Sequence, residues 1–170
     1  CKEIMHNMKS ESIDLVVTSP PYYNAKEYSQ YKNIDEYMDI MKDVFSLVLK
    51  IIKKSRMCAI NISPVIKSRK NRSSQSKRIP LPYYFVPMME KIGYEFLEDI
   101  IWEKPEGAVI NRGGGFYQHR KPVAYKPNLV TEYILVFKKQ SNYLIDRVVR
   151  SYKSPESLVK DGYETTNVWR

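Results

Sequence analysis

The chain has 170 residues, 43% of them hydrophobic and 12% aromatic, which suits one domain with a real core and excludes a disordered chain. Its formal net charge of +9 favours a polyanionic partner, with nucleic acid first, although a solvated basic surface carries the same charge.

Residues 2–11 read as a short helix or an irregular lead-in. Ile13 to Val17, "IDLVV", is a short, β-branched, apolar run and is expected to be a buried strand. It runs straight into Thr18-Ser19-Pro20-Pro21-Tyr22. Proline gives no N–H to a sheet, so the strand must stop at Pro20 and the chain must turn out at its carboxyl end. Ligands bind at that edge of open α/β sheets. The prolines fix two φ angles, so the Ser19 hydroxyl and nearby carbonyls can stand at a set spacing beside the Tyr22 ring. A planar base with an exocyclic amino group fits such a site. Residues 23–32 read as a loop, in which Tyr23 and Tyr28 are either surface aromatics or base-stacking groups.

Asn33-Ile34-Asp35-Glu36 has the form of a capping box, with Asn33 as N-cap and Glu36 at N3. Apolar residues at 34, 37, 38, 41, 44, 45, 48, 51 and 52 then predict a helix with one buried stripe. "MCAINIS" (57–63) reads as a second buried strand, and strand, helix and strand together suggest a parallel pair. Asn61 ends that strand near the same edge. Residues 67–78 carry six basic side chains, Lys67, Arg69, Lys70, Arg72, Lys77 and Arg78, and no acid. They are either a solvated loop or a phosphate-contacting one.

Residues 80–93 read as a short helix ending near Gly93, with Pro87 kinking it or marking its first turn. "YEFLEDIIWE" (94–103) is a third strand, with Trp102 assigned to the core. Residues 104–129 hold Arg112, Tyr117, His119, Arg120 and Lys121 among glycines and prolines. Cations that hold phosphates and rings that stack on bases suit nucleic acid here. "TEYILVFKK" (131–139) is a fourth strand, and a polar, basic tail runs on from 140. Cys1 and Cys58 do not make a disulfide framework. His6 and His119 lack metal-ligand spacing, so no metal is expected. No apolar run reaches the length of a membrane span and no signal peptide is visible, so a cytoplasmic protein with no membrane contact is expected. A start at Cys1, without Met, is expected of a piece of a longer protein.

"VVTSPPYYNAKEY" resembles motif IV of the methyltransferases that modify exocyclic nitrogens of DNA. The family pattern is Ser/Asp/Asn-Pro-Pro-Tyr/Phe after a buried strand, and the Thr-Ser-Pro-Pro-Tyr form is the one usually associated with N4 of cytosine. "CKEIMHNMKSESIDLVV" resembles the lead into that motif. "EYMDIMKDVFSLVLKIIKKSRMCAINISP", "EKIGYEFLEDIIWEKP" and "TEYILVFKK" resemble the family's helix and strands beyond the motif, so the likeness covers roughly residues 2–139.

The resemblance implies an α/β, Rossmann-like S-adenosylmethionine-dependent methyltransferase fold, with a mostly parallel sheet, helices on both faces and 131–139 as an antiparallel strand beside 94–103. The fold is expected to be incomplete, because the family's Asp-Pro-Phe-x-Gly-x-Gly cofactor loop is absent. Residues 1–139 would be the catalytic portion, and 140–170 a basic tail that starts a target-recognition or connecting segment. The resemblance makes Ser19, Pro20, Pro21 and Tyr22 the catalytic group, with Thr18 and Ser19 beside the cofactor. Lys67, Arg69, Lys70, Arg72, Lys77, Arg78, Arg112, Tyr117, Arg120 and Lys121 would contact double-stranded DNA. The expected reaction is methyl transfer from S-adenosylmethionine to N4 of a flipped cytosine. Two alternatives stay open: transfer to N6 of adenine, and a non-catalytic nucleic-acid-binding module. The resemblance also allows a homodimer, and a cognate restriction endonuclease that is not in direct contact.

Overall fold

The computed structural model describes residues 1–24, 27, 29–67, 77–105, 129–142 and 165–170. The elements run in order as helix α1 (Lys2–Asn7), strand β1 (Ile13–Thr18), helix α2 (Ile34–Ile51) and strand β2 (Ile52–Ile62). Next come β3 (Val65–Lys67), β4 (Lys77–Ile79), α3 (Leu81–Ile92), β5 (Tyr94–Glu103), β6 (Thr131–Lys139) and β7 (Val168–Trp169). Five strands make one sheet in the order β1-β2-β6-β5-β7, and β3 and β4 pair as a separate hairpin. β1 is parallel to β2 and β5 to β7, while β6 is antiparallel to both of its neighbours. All strands of the large sheet except β6 therefore point the same way.

α2 begins as the capping box predicts in one half of the motif. Asn33 Oδ1 accepts from the Glu36 N–H at 2.8 Å. The returning Glu36 carboxylate accepts instead from the N–H of Lys32, one residue earlier, at 2.6 Å. The helix buries Tyr37, Met41, Phe45, Val48 and Ile51, the expected stripe. Ile52 falls outside the helix and opens β2, five residues before the expected strand start at Met57. The early start accommodates an irregularity. Ser55 has φ of 57°, and the register with β1 jumps from Ile13↔Ile52 to Leu15↔Met57. α3 runs through Pro87 and stops at Gly93, whose φ of 115° is a left-handed cap that a side chain would strain.

The core lies on one face of the sheet. Cys58, Ile60 and Ile62 of β2 alternate inward, opposite Phe137, Leu135 and Tyr133 of β6. Phe45 of α2 and Phe85 of α3 meet edge to face at 5.9 Å above them. Tyr94 donates to the Phe45 carbonyl at 3.1 Å, which ties β5 to α2. Tyr23 belongs to this core at 5% exposure, stacked on Tyr31 and edge-on to Tyr37, so it is neither a surface nor a base-stacking group. Tyr28 lies outside the described residues.

The other face carries Leu15, Val17, Met57, Ala59, Val136 and Trp102, as the strand registers require. Leu15 is 58% and Val17 70% exposed. Helices on both faces were expected; among the described residues the helical packing is on the core face. Trp102 is not core either. It is 39% exposed, because its register partner is Glu132 on the uncovered face. At the far edge Val168 and Trp169 pair with Ile101 and Trp102, in a tail segment that shows no periodicity. None of the described helices is long and apolar enough to cross a membrane.

The N-cap and the buried stripe of α2 contribute differently. Phe45→Ala is expected to cost about 3–5 kcal/mol through lost transfer energy and a cavity, and Asn33→Ala about 1 kcal/mol through one lost cap. Chemical denaturation of both variants measures the difference.

Candidate active site

Parallel strands end together. The carboxyl ends of β1, β2 and β5 share one edge, and β6 begins there because it runs the other way. β1 stops at Thr18, immediately before Ser19-Pro20, as a donor-less proline requires. Ser19 and Pro21 are exposed, Pro20 is buried and Tyr22 is partly buried with its ring against the core. The chain beyond is stapled by Asn24. Its side chain accepts from the Tyr31 N–H at 2.6 Å and donates to the Tyr31 carbonyl at 3.1 Å. Asn24 itself sits at φ 48°, a conformation that Asn tolerates better than most residues.

Three side chains from three other segments converge on one carboxylate at this edge. Glu132, the second residue of β6, receives the Lys104 ammonium on Oε1 at 2.6 Å. Its Oε2 accepts from the Asn61 amide at 2.7 Å and from the Tyr22 phenol at 3.3 Å, the longest of the three. Lys104 comes directly after β5, and its N–H bonds the Val130 carbonyl at 2.8 Å, which fixes the spacing of the two strand ends. The Asn61 amide oxygen is buried and has no partner among the described residues.

The charges are consistent with this geometry. Burial raises the Glu132 carboxyl, but hydrogen bonds from Lys104, Asn61 and Tyr22 and the Lys104 charge outweigh it, so the group titrates below its ordinary 4.5. Burial pushes the Tyr22 phenol up to about 12. The nearby Ser19 hydroxyl opposes that rise, and the Glu132 charge adds to it. Tyr22 therefore keeps its proton at neutral pH and donates it to Glu132.

Thr18, Ser19, Pro20, Pro21 and Tyr22 thus lie together at the strand end. Asn61 joins them through Glu132. Lys67 and Lys77 face each other across the β3–β4 hairpin, and Arg78 pairs with Ile66 next to them. The hairpin leaves the same edge, since β3 begins three residues after β2 ends. Arg69, Lys70, Arg72, Arg112, Tyr117, Arg120 and Lys121 lie outside the described residues, as does His119. Sequence reasoning assigned no role to Glu132 or Lys104. The available signal was an acid opening one strand and a lysine closing another, and strand order alone makes them neighbours.

The architecture is that of an α/β methyltransferase. A putative DNA modification methylase from Thermus thermophilus, solved in complex with S-adenosyl-L-methionine, superposes with a TM-score of 0.64 and 24% identity, over 84% of this chain and 52% of that one. The PvuII DNA methyltransferase (cytosine-N4-specific) superposes with a TM-score of 0.56 and 17% identity, over 97% and 56%. The DNA methylase family model for N6 and N4 enzymes matches residues 13–170, and the chain belongs to that family. It is 32% identical over 142 residues to the type II beta methyltransferase M.BslI of Bacillus sp. (strain NEB-606), 81% of this chain and 15% of that protein. It is 28% identical over 138 residues to the type II methyltransferase M.MjaVI of Methanocaldococcus jannaschii, 79% of this chain and 66% of that protein. The chain therefore spans between 15% and 66% of the length of these two relatives.

A lowered carboxylate stabilises the fold fully above its ordinary value, 4.5, and the contribution is lost as pH falls through the lower folded value. The stability difference between the wild type and Glu132→Gln is therefore expected to be constant near neutrality and to shrink below pH 4.5. Denaturant midpoints across that range measure it.

Proposed function

We propose that the protein carrying this chain is a site-specific DNA methyltransferase that acts on N4 of cytosine in duplex DNA, with S-adenosylmethionine as methyl donor. The observation that carries the reading is an exposed Ser19 and a neutral, anchored Tyr22 at the carboxyl end of β1, on a chain of the DNA methylase family. The Thr-Ser-Pro-Pro-Tyr form supports cytosine. The cofactor bound in the Thermus neighbour supports the donor.

The residues at the edge suit that donor. Thr18, Ser19 and the Pro20 carbonyl offer neutral oxygens, and the nearest carboxylate is matched by Lys104. When bound, S-adenosylmethionine supplies an activated methyl group.

The target base leaves the duplex, at a cost of a few kcal/mol, and stacks on the Tyr22 ring. Its amino group donates to Ser19 Oγ and to the Pro20 carbonyl. Conjugation with the ring makes that nitrogen a poor nucleophile. Holding both N–H bonds draws it toward sp³ character and directs its lone pair at the methyl carbon. S-adenosylmethionine held beside Thr18 and Ser19 would supply the methyl carbon as electrophile and a thioether as leaving group. The proton then leaves the cationic nitrogen to water. Ser19 orients and does not need to act as a base, so positioning and electrostatics supply the effect.

Duplex binding draws on the basic hairpin. Like charges directly opposite each other, as Lys67 and Lys77 are, destabilise a strand pair in isolation and are relieved by a phosphate between them.

The full-length protein, incubated with duplex DNA and methyl-labelled S-adenosylmethionine, is expected to yield N4-methylcytosine on nucleoside mass spectrometry. Ser19→Ala is expected to abolish it while DNA affinity stays within about twofold. N6-methyladenine would reassign the base. DNA binding with no methylated nucleoside on any of several duplexes would favour a binding module.

A further inference from the structure

The Tyr22 ring is held at its two ends by different means. Its root follows Pro21, just beyond the carboxyl end of β1, and its body packs partly buried against the core. Apolar packing has no direction, and the torsion that turns an aromatic ring is broad and two-fold. Packing alone therefore leaves the plane of the ring weakly set. The directional contact is at the tip, where the phenol donates to Glu132 Oε2 at 3.3 Å. Burial keeps the phenol protonated and the carboxylate is ionised above its lowered pKa, so donor and acceptor stay matched across the neutral range. Glu132 is itself a fixed post. Asn61 holds the same oxygen at 2.7 Å, and Lys104 holds the other at 2.6 Å. Lys104 in turn donates its backbone N–H to the Val130 carbonyl at 2.8 Å. The tip of the ring is thereby tied to the ends of β2, β5 and β6, while its root stands at the end of β1.

We propose that Glu132 is a positioning residue that holds the Tyr22 hydroxyl and so fixes the plane on which the target base stacks. This rests on the methyl-transfer reading above and adds the group that orients its stacking surface. A base stacked on a ring takes the tilt of that ring, and the tilt aims the lone pair of the base's amino nitrogen. A misaligned ring lowers the fraction of bound complexes that can react. It leaves the phosphate contacts that hold the duplex intact, so the loss falls on kcat and not on KM. Glu132 has a second arm that is purely structural, its ion pair with Lys104 between the end of β5 and the start of β6. Tyr22→Phe separates the two arms. It removes the contact at the tip and leaves the ring, its core packing and the Glu132–Lys104 pair in place.

The test is a double-mutant cycle in the full-length protein, with kcat and KM for duplex DNA measured for wild type, Tyr22→Phe, Glu132→Gln and the double variant. Tyr22→Phe is expected to lower kcat about tenfold, the low end for a hydrogen bond to a charged group because 3.3 Å is long, with KM nearly unchanged. Glu132→Gln is expected to lower kcat alone, and by less than about twofold more in the Phe background, because both changes act on one contact. A Tyr22→Phe enzyme with wild-type kcat overturns the proposal, even where Glu132→Gln fails to fold. Losses that multiply in the double variant also overturn it and leave Glu132 only its structural arm. In the tyrosine 13Cζ spectrum, assigned by the loss of one signal in Tyr22→Phe, Glu132→Gln is expected to shift the Tyr22 resonance without any DNA present, and an unmoved resonance overturns the proposal. A wild-type protein that methylates no base overturns the methyl-transfer reading and this inference with it. Wild-type product together with an unaffected Tyr22→Phe enzyme overturns the inference alone.

Discussion

The site depends on one reversal of direction. β6 runs against β2 and β5 and lies between them, so its second residue arrives where their last residues end. Had β6 been parallel, Glu132 would lie near the far end of this nine-residue strand, about six residues away at about 3.3 Å each. Lys104 and Asn61 would then face each other with no anion between them. The reversal brings one acid to a place where two strand ends already supply donors.

That acid is costly to bury and is held by several partners. A carboxylate that accepts three hydrogen bonds, one from an ammonium, stays ionised in a half-buried place. The cluster is tighter at Lys104 and Asn61 than at Tyr22, which is the member nearest the exposed serine. The rigid side of the network thus faces the sheet and the looser side faces the ligand edge. Among the described residues, the Asn61 amide oxygen is the one acceptor of the group that the fold leaves unmatched.

Local signals in the sequence were easy to read and long-range ones were not. α2 was legible because a cap and a stripe are written within eighteen residues. The end of β1 was legible because two prolines permit nothing else. Ile52 was misplaced because an apolar residue continues a helical stripe and opens a buried strand equally well. Trp102 was assigned to the core because alternation marks two faces but not which of them is covered. The direction of β6 came only from family resemblance. Tyr22, Asn61, Lys104 and Glu132 span over a hundred positions, and no spacing rule joins them; they meet through strand order. For the same reason Asn61 could be placed near the edge, while its partner could not be named.

The outer side of β1 has a consequence for handling the chain. Among the described residues β1 pairs only with β2, so one row of its backbone donors and acceptors is open beside Leu15 and Val17. An open strand flanked by bare aliphatic groups is a template for another strand. Copies of this chain share a net charge of +9, whose repulsion acts over about 10 Å at 0.1 M salt and about 3 Å at 1 M. Colloidal stability of the isolated chain is therefore a function of ionic strength. Salt high enough to screen that charge also weakens the repulsion between one such edge and another.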